Sequence, residues 1–421
     1  MLPSGTDGSP QSSCKPVGIE KIWAYPGTQS LDMEELALAR GHDPADVRDN
    51  LLVRSRTVNP LWEDPVTMAA NAAYPMLDDQ DRASIELLIV ATESSVDQGK
   101  GMSTFAQHFL GIQPNCRNYE AKNACYAGTS AVMMAAHWIA SGLNGDAKAL
   151  VIAADQSRMS LRETYEYVMG AGSVALLISS NPRVLAFEME HNGFWTNHCF
   201  DTFRPTSRVE AGNGEASLYC YLDALEGAYV HFQSKAGPVD FDRYFKKNIY
   251  HVPFGGLTFQ AHRTLLRQGR RVKKSEALEH FGHKSKPGLT YTSQMGGTYS
   301  SSIFIALMGM IDSCDDLEPG DRISLFSYGS GSCGEFFTGL LGPDARELVA
   351  AARFQDLLDA RRPLTVEEYE RTEEERFDNI DNGNFTPDTG GNGGLYETHY
   401  RGKKLLTLRG IADFTRHYGW S

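Results

Sequence analysis

Residues 122–154 read KNACYAGTSAVMMAAHWIASGLNGDAKALVIAA. A polar turn gives way at Cys125 to a small and apolar run, Tyr126 to Ser141, with the spacing of a helix. A break rich in Gly, Asn and Asp follows, and then a short aliphatic run, Lys148 to Ala154, of the length and composition of a buried strand. The same alternation recurs outward. Ser84 to Ala91, Ser173 to Ile178, Val184 to Glu188 and Arg322 to Phe326 read as further strands. Met102 to Leu110, Leu257 to Gln268, Tyr299 to Asp312 and Ala345 to Leu358 read as helices, and strands alternating with helices imply an α/β fold in layers.

The chain also echoes itself. Gly296-Gly297-Thr298 opens a second helix, Tyr299 to Asp312, and the strand Arg322 to Phe326 follows, as Cys125 opens the first helix and Lys148 to Ala154 follows that. A helix followed by a strand is a common unit, so the echo points to duplication without establishing it. A midpoint at Gly212 to Gly214 divides the chain into halves 17–211 and 212–421 behind a Ser, Gly and Pro-rich tail, 1–16, which lacks an apolar stretch and reads as flexible rather than as a signal peptide. Glu367 to Gly394, acidic and then Gly and Asn-rich, reads as a loop or connector, and Tyr400 to Trp420 as a closing strand and helix.

A chain of 421 residues, 41% hydrophobic and 22% charged, is globular and large enough for two cores. Its apolar runs stop short of a membrane span. Seven cysteines with no CxxC pair argue for reduced thiols in a cytoplasm and against a disulfide framework or a zinc site. A net charge of −13 argues against general nucleic-acid binding. One basic cluster stands out, Arg263, Arg267, Arg270, Arg271, Lys273 and Lys274, and a solvated helix face explains it as well as a docking patch does.

Cys125 at a helix start feels unpaired N–H groups and the positive end of the helix dipole, which favour a thiolate nucleophile; a cysteine packed as a small hydrophobe fits the same pattern. Glu93 follows the strand ending at Ala91, where ligands gather in α/β sheets, and apolar neighbours would raise its pKa toward that of a general base. His251 sits in Tyr-His-Val-Pro-Phe-Gly-Gly, a loop able to hold an imidazole in place. Ser327-Tyr328-Gly329-Ser330-Gly331 follows a strand and can offer N–H groups to an oxyanion, although a tight turn reads alike.

Together, Ala-Thr-Glu-Ser-Ser (91–95), Asn-Ala-Cys-Tyr-Ala-Gly-Thr (123–129), Tyr-His-Val-Pro-Phe-Gly-Gly (250–256) and Phe-Ser-Tyr-Gly-Ser-Gly (326–331) resemble the 3-hydroxy-3-methylglutaryl (HMG) synthases of the thiolase superfamily. The likeness runs from about Val17 to Trp420. Glu-Asp-Pro-Val-Thr (63–67), Asp-Thr-Phe-Arg-Pro (201–205) and Lys-Pro-Gly-Leu-Thr-Tyr (286–291) are similar to the polyketide β-branching branch, which acts on carrier-protein thioesters.

The resemblance implies a thiolase-like duplicated five-layer αβαβα fold and a cytoplasmic homodimer. It implies that Cys125 accepts acetyl from a donor acyl carrier protein, that Glu93 deprotonates the acetyl methyl, and that the enolate adds to the β-ketone of an acceptor polyketide on a second carrier protein. His251 would polarise that ketone, and hydrolysis of the Cys125 thioester would leave a carboxymethyl branch. The N–H groups of Cys125 and Ser330 match the oxyanion positions, and Tyr126, Asp155, His198 and Asp201 fall in family-like segments that shape the site. Substrates would arrive on phosphopantetheine, with no metal or redox cofactor and no nucleic-acid or membrane partner. Arg263, Arg267, Arg270 and Arg271 would meet the acidic carrier protein.

Three other readings share features of the sequence. A coenzyme A-using HMG synthase shares the chemistry, a ketoacyl-synthase III-like enzyme would need a Cys, His, Asn triad, and a silent scaffold would need none of these groups. Two departures from the resemblance are Gly297, where the family usually carries Asn, and the stretch Gln156 to Met169, which matches neither branch.

Overall fold

A computed structural model describes residues 15–158, 161–163, 165–268, 271–390 and 392–421. Arg270 and most of the tail, 1–14, lie outside the described residues. Ten strands form the main sheet, namely Gly18–Tyr25 (β1), Ile85–Ala91 (β2), Arg117–Ala121 (β3), Lys148–Gln156 (β4), Ala171–Ser179 (β5), Leu185–Phe187 (β6), Gly193–Thr196 (β7), Lys247–Tyr250 (β8), Arg322–Gly329 (β9) and Cys333–Leu341 (β10). Their order is β8-β9-β10-β6-β1-β5-β4-β2-β3, with β7 on β10.

Two sets of strands repeat one pattern. β2 and β4 run parallel, as do β8 and β9; β4 pairs antiparallel with β5 as β9 does with β10; β5 lies on β1 as β10 lies on β6. The sets join where Gly18 faces Ala186 and Ile19 faces Leu185. Along the chain, β6 and β7 precede residue 212 yet pair with the second set.

Parallel neighbours need a crossover. Among the helices Pro65–Ala73 (α1), Met102–Leu110 (α2), Ala127–Ala140 (α3), Gly214–Ala236 (α4), Gly255–Leu266 (α5) and Ser302–Ser313 (α6), α3 leads into β4 and α6 into β9. The pleat sorts the side chains between layers. Ala149, Val151 and Ala153 of β4 face a central core shared with α3 and α6, while Leu150, Ile152 and Ala154 face α1 and α2. In the second set Ile323 and Leu325 of β9 face the central core, and Phe326 and Tyr328 face α4 and α5. The result is helix, strand set, helix, strand set, helix. Strands buried on both faces carry unbroken apolar runs, and α6, between the two strand sets, is apolar nearly all round.

Three local expectations give way. The closing segment is a hairpin, Leu406–Ala412 and Thr415–Trp420, turned at Asp413 and Phe414, which take φ of 46° and 63°. The acidic stretch after Glu367 is not all connector, because Val366–Asp378 is a helix held by a capping box of Thr365 and Glu368 and by burial of Tyr369. The helix expected over Ala345 to Leu358 is two, Ala345–Ala351 and Phe354–Asp359, parted where Arg353 takes a φ of 47°.

Candidate active site

The site gathers where β2, β4 and β9 end and α3 and α6 begin. Beyond β2, Asp155 near the end of β4 accepts the Thr92 hydroxyl, the Glu93 N–H and the Ser94 hydroxyl, each at 2.8 Å. Its other oxygen accepts the N–H of Ser300 at 3.2 Å and the Ser300 hydroxyl. One buried carboxylate therefore fixes the Glu93 backbone and the entry to α6 together.

Cys125 precedes α3 after Ala124, whose φ of 44° lies in the left-handed region and turns the chain sharply into the helix. Gly329, at the end of β9, presses on this turn. A Cβ there would lie 2.7 Å from the Asn123 carbonyl oxygen and from the Tyr126 nitrogen, so only glycine allows the approach. Tyr126 donates to Glu335 Oε2 at 2.6 Å, and Asn192 donates to Oε1 at 2.8 Å; burial pushes the Glu335 carboxyl up to about 7.

The Cys125 thiol donates to Glu93 Oε2 at 3.3 Å. Arg204 Nε lies 3.3 Å from Glu93 Oε1, and its Nη2 lies 2.9 Å from Glu210 Oε2. The Arg204 guanidinium also covers the Tyr299 ring at 4.8 Å. Burial raises the Glu93 carboxyl to about 7, against the pull of Arg204 and with the help of the carboxylates Asp155 and Glu210. That suits a group which gives and takes a proton near neutrality. The thiol departs from the thiolate expectation. Cys125 keeps some surface toward the cavity, but burial, and after it the Glu93 carboxylate, push its pKa well above the usual thiol value. At rest it is a protonated thiol with its acceptor in place.

His251 is buried at the end of β8, with Ser302 Oγ 2.8 Å from Nδ1. Burial lowers its pKa to about 3, so the ring is neutral at physiological pH. Because the Val252 N–H already donates to Ser302 Oγ at 3.3 Å, the Ser302 proton is free to point at Nδ1. That tautomer leaves Nε2–H as a donor.

Cys125, Glu93, His251, Ser330, His198 and Gly297 line a single cavity of about 970 Å³. Tyr126, Asp155 and Asp201 stand behind its wall, Asp201 accepting the Tyr328 hydroxyl at 2.6 Å and the Gly331 N–H at 2.9 Å. Arg263, Arg267 and Arg271 lie on and just beyond the far turn of α5 and do not line the cavity. Arg204, Glu210, Tyr299 and Arg158, unremarked in the sequence, do line it. Arg204 belongs to the Asp-Thr-Phe-Arg-Pro segment, but its pairing with Glu93 is visible only in three dimensions. Among the described residues no cluster of His, Cys, Asp and Glu is arranged to hold a metal ion, and no helix is long and apolar enough to cross a membrane.

Family models described as hydroxymethylglutaryl-coenzyme A synthase, N-terminal and C-terminal, match residues 14–183 and 261–403. The polyketide biosynthesis 3-hydroxy-3-methylglutaryl-ACP synthase PksG of Bacillus subtilis (strain 168) is 39% identical over 366 residues, 84% of this chain and 87% of that protein. The chain belongs to the hydroxymethylglutaryl-CoA synthase family. As an HMG synthase it is an acyl-transferring enzyme that forms a carbon–carbon bond, and its layers are those of the thiolase-like fold. Another family member, the hydroxymethylglutaryl-CoA synthase of Enterococcus faecalis, is 32% identical over 363 residues, 86% of this chain and 92% of its own. Among solved HMG synthases, that of the curacin biosynthetic pathway in complex with holo donor-ACP superposes with a TM-score of 0.92 at 38% identity, covering 96% of this chain and 100% of that one.

Proposed function

We propose that this HMG synthase builds a β-branch on a carrier-protein-bound polyketide, with Cys125 as nucleophile, Glu93 as base and acid, and His251 as the donor to the acceptor ketone. The observation that carries the reading is the Cys125 to Glu93 hydrogen bond, 3.3 Å, inside the cavity that His251 also lines. Cys125 attacks the acetyl thioester while Glu93 takes its proton, which leaves with the departing pantetheine thiol. Glu93, again a carboxylate, removes a proton from the acetyl methyl held beside it. The enolate carbon adds to the β-ketone, whose oxygen takes a hydrogen bond from His251 Nε2–H and then the proton from Glu93. Water finally cleaves the Cys125 thioester. Covalent capture and placement of the methyl beside its base supply the rate advantage, and the N–H groups of Cys125 and Ser330 stabilise the enolate oxygen.

Carrier-protein substrates are favoured by the greater identity to PksG, named an ACP synthase, and to the curacin enzyme solved with its donor-ACP than to the Enterococcus CoA synthase. The same proposal includes donor and acceptor carrier proteins as partners, docking through Arg263, Arg267, Arg270 and Arg271, a homodimer in the cytoplasm, halves at 17–211 and 212–421, and chemistry carried by side chains with phosphopantetheine as the only carrier group. His198 and Gly297 would border the substrate, with Tyr126, Asp155 and Asp201 supporting the walls. Intact-protein mass spectrometry with acetyl-carrier protein tests it. Wild type gains an acetyl group and Cys125→Ala does not, while Glu93→Gln, lacking the base that takes the thiol proton, loads acetyl slowly and then fails to condense. Normal condensation by Glu93→Gln sinks the assignment.

A further inference from the structure

Arg158 is a cavity-lining cation with no part in the reaction proposed above. It lies in the stretch Gln156 to Met169 that departs from the family pattern and lines the same cavity as Cys125 and Glu93. Among the described residues its Nε is enclosed without a hydrogen-bond partner, and its one bond, from Nη2 to the Ser95 carbonyl, is long at 3.4 Å. Among the described residues no carboxylate lies within ion-pair distance of it, whereas Arg204, the cavity's other arginine, is held by both Glu93 and Glu210. Lys122, also at the cavity, is exposed to solvent. Arg158 is half-buried, and a guanidinium with an enclosed, unpaired Nε is costly until an anion completes it.

The proposed reaction obliges such an anion to appear. In its last step water's oxygen bonds to the thioester carbon, the carbon–sulfur bond breaks, Cys125 recovers a thiol proton, and the new acid loses its proton to give a carboxylate. That charge is born beside Glu93 and Glu210, which repel it. Position 297 has no side chain to help. A Cβ at Gly297 would lie 2.6 Å from the Val168 carbonyl oxygen, and the Gly297 N–H is already given to that oxygen at 2.8 Å. Val168 and Arg158 belong to the same atypical stretch, which closes one position and offers a cation to the same cavity.

We propose that Arg158 binds the carboxylate released when the Cys125 thioester is hydrolysed, and so selects the carboxymethyl-branched product. This inference rests on the function proposed above, and it is tested by binding rather than turnover so that the two can fail separately. The probes are 3-hydroxy-3-methylglutaryl-pantetheine, its terminal carboxamide, and the same pair carrying the phosphate of phosphopantetheine. Calorimetry on wild type is expected to show the carboxylate bound about 10- to 100-fold more tightly than the amide, the range of a charge-assisted hydrogen-bonded pair. In Arg158→Gln the preference should shrink to within about threefold, and in Arg158→Lys part of it should return. Cys125 should still load acetyl in both variants, which also shows that they fold. An undiminished preference in Arg158→Gln overturns the proposal, and so does a loss that follows the phosphate instead of the carboxylate. Failure of wild type to load acetyl or condense, with the carboxylate preference intact, would count against the proposed reaction and not against Arg158.

Discussion

Neutralising Arg204 should move the pH dependence of condensation upward. Glu93 must be a carboxylate to take the methyl proton, so the single-turnover rate of pre-acetylated enzyme rises with pH and levels off above about 7, where Glu93 titrates. Arg204 Nε sits 3.3 Å from this carboxylate. At an effective dielectric near 20, unit charges so placed interact by about 5 kcal/mol. That is a ceiling, because Arg204 also serves Glu210 at 2.9 Å. Arginine neighbours typically hold a carboxyl down by about 1–3 units. Arg204→Gln should therefore carry the profile about 1–3 pH units to the alkaline side, cutting the rate at pH 7 by roughly 5-fold to 500-fold and restoring it at higher pH. Glu210→Gln supplies the opposite sign. It removes a like charge that raises Glu93, so its profile should shift to the acid side. The assay is rapid-quench condensation between pH 5.5 and 9.5, with acetyl loading measured separately. A profile that stays put in Arg204→Gln, or two variants shifting the same way, refutes the electrostatic account of the base.

His251, neutral above about pH 3, should contribute no limb to that profile, and His251→Ala should lower condensation by about 10²–10³-fold while Cys125 still loads acetyl, read by mass spectrometry. Gly297→Asn should lower stability by about 1–3 kcal/mol, seen as a reduced melting temperature, because its Cβ meets the Val168 carbonyl oxygen. Glu63 is a pH probe away from the reaction. Burial raises it from 4.5 to about 7, so its favourable contribution is complete below about pH 4.5 and disappears as pH rises through about 7. Glu63→Gln should therefore match wild type near pH 4.5 and exceed it by up to about 3 kcal/mol at pH 8 in urea melts; an equal difference at both pH values would contradict the burial argument.

The layered α/β fold was legible because its strands are buried on both faces and so appear as short aliphatic runs, with β2, β4 and β5 read within two residues of their ends. Helix α2 matched its expected bounds, and α3 lay within one residue of them. The 23-residue α4 escaped notice because one face is exposed and its interior includes Gly227, which dilutes the periodic signal. Cys125, Glu93 and His251 each stood out by local context or motif. Arg204 and Glu210 did not, because a salt bridge between loops is set by how layers stack, and no spacing along the chain encodes it. Arg158 was hidden differently, in a stretch noted only for being atypical.

Asp155 has a consequence for how the molecule comes apart. It grips the residues after β2 with one oxygen and Ser300, at the mouth of α6, with the other. A protein whose two strand sets repeat one plan has thereby tied both copies to a single buried charge. Loosening either copy would take from that charge the partners on one of its oxygens, so the two should melt together. The two strand sets share one fate, and the chemistry stands on the knot.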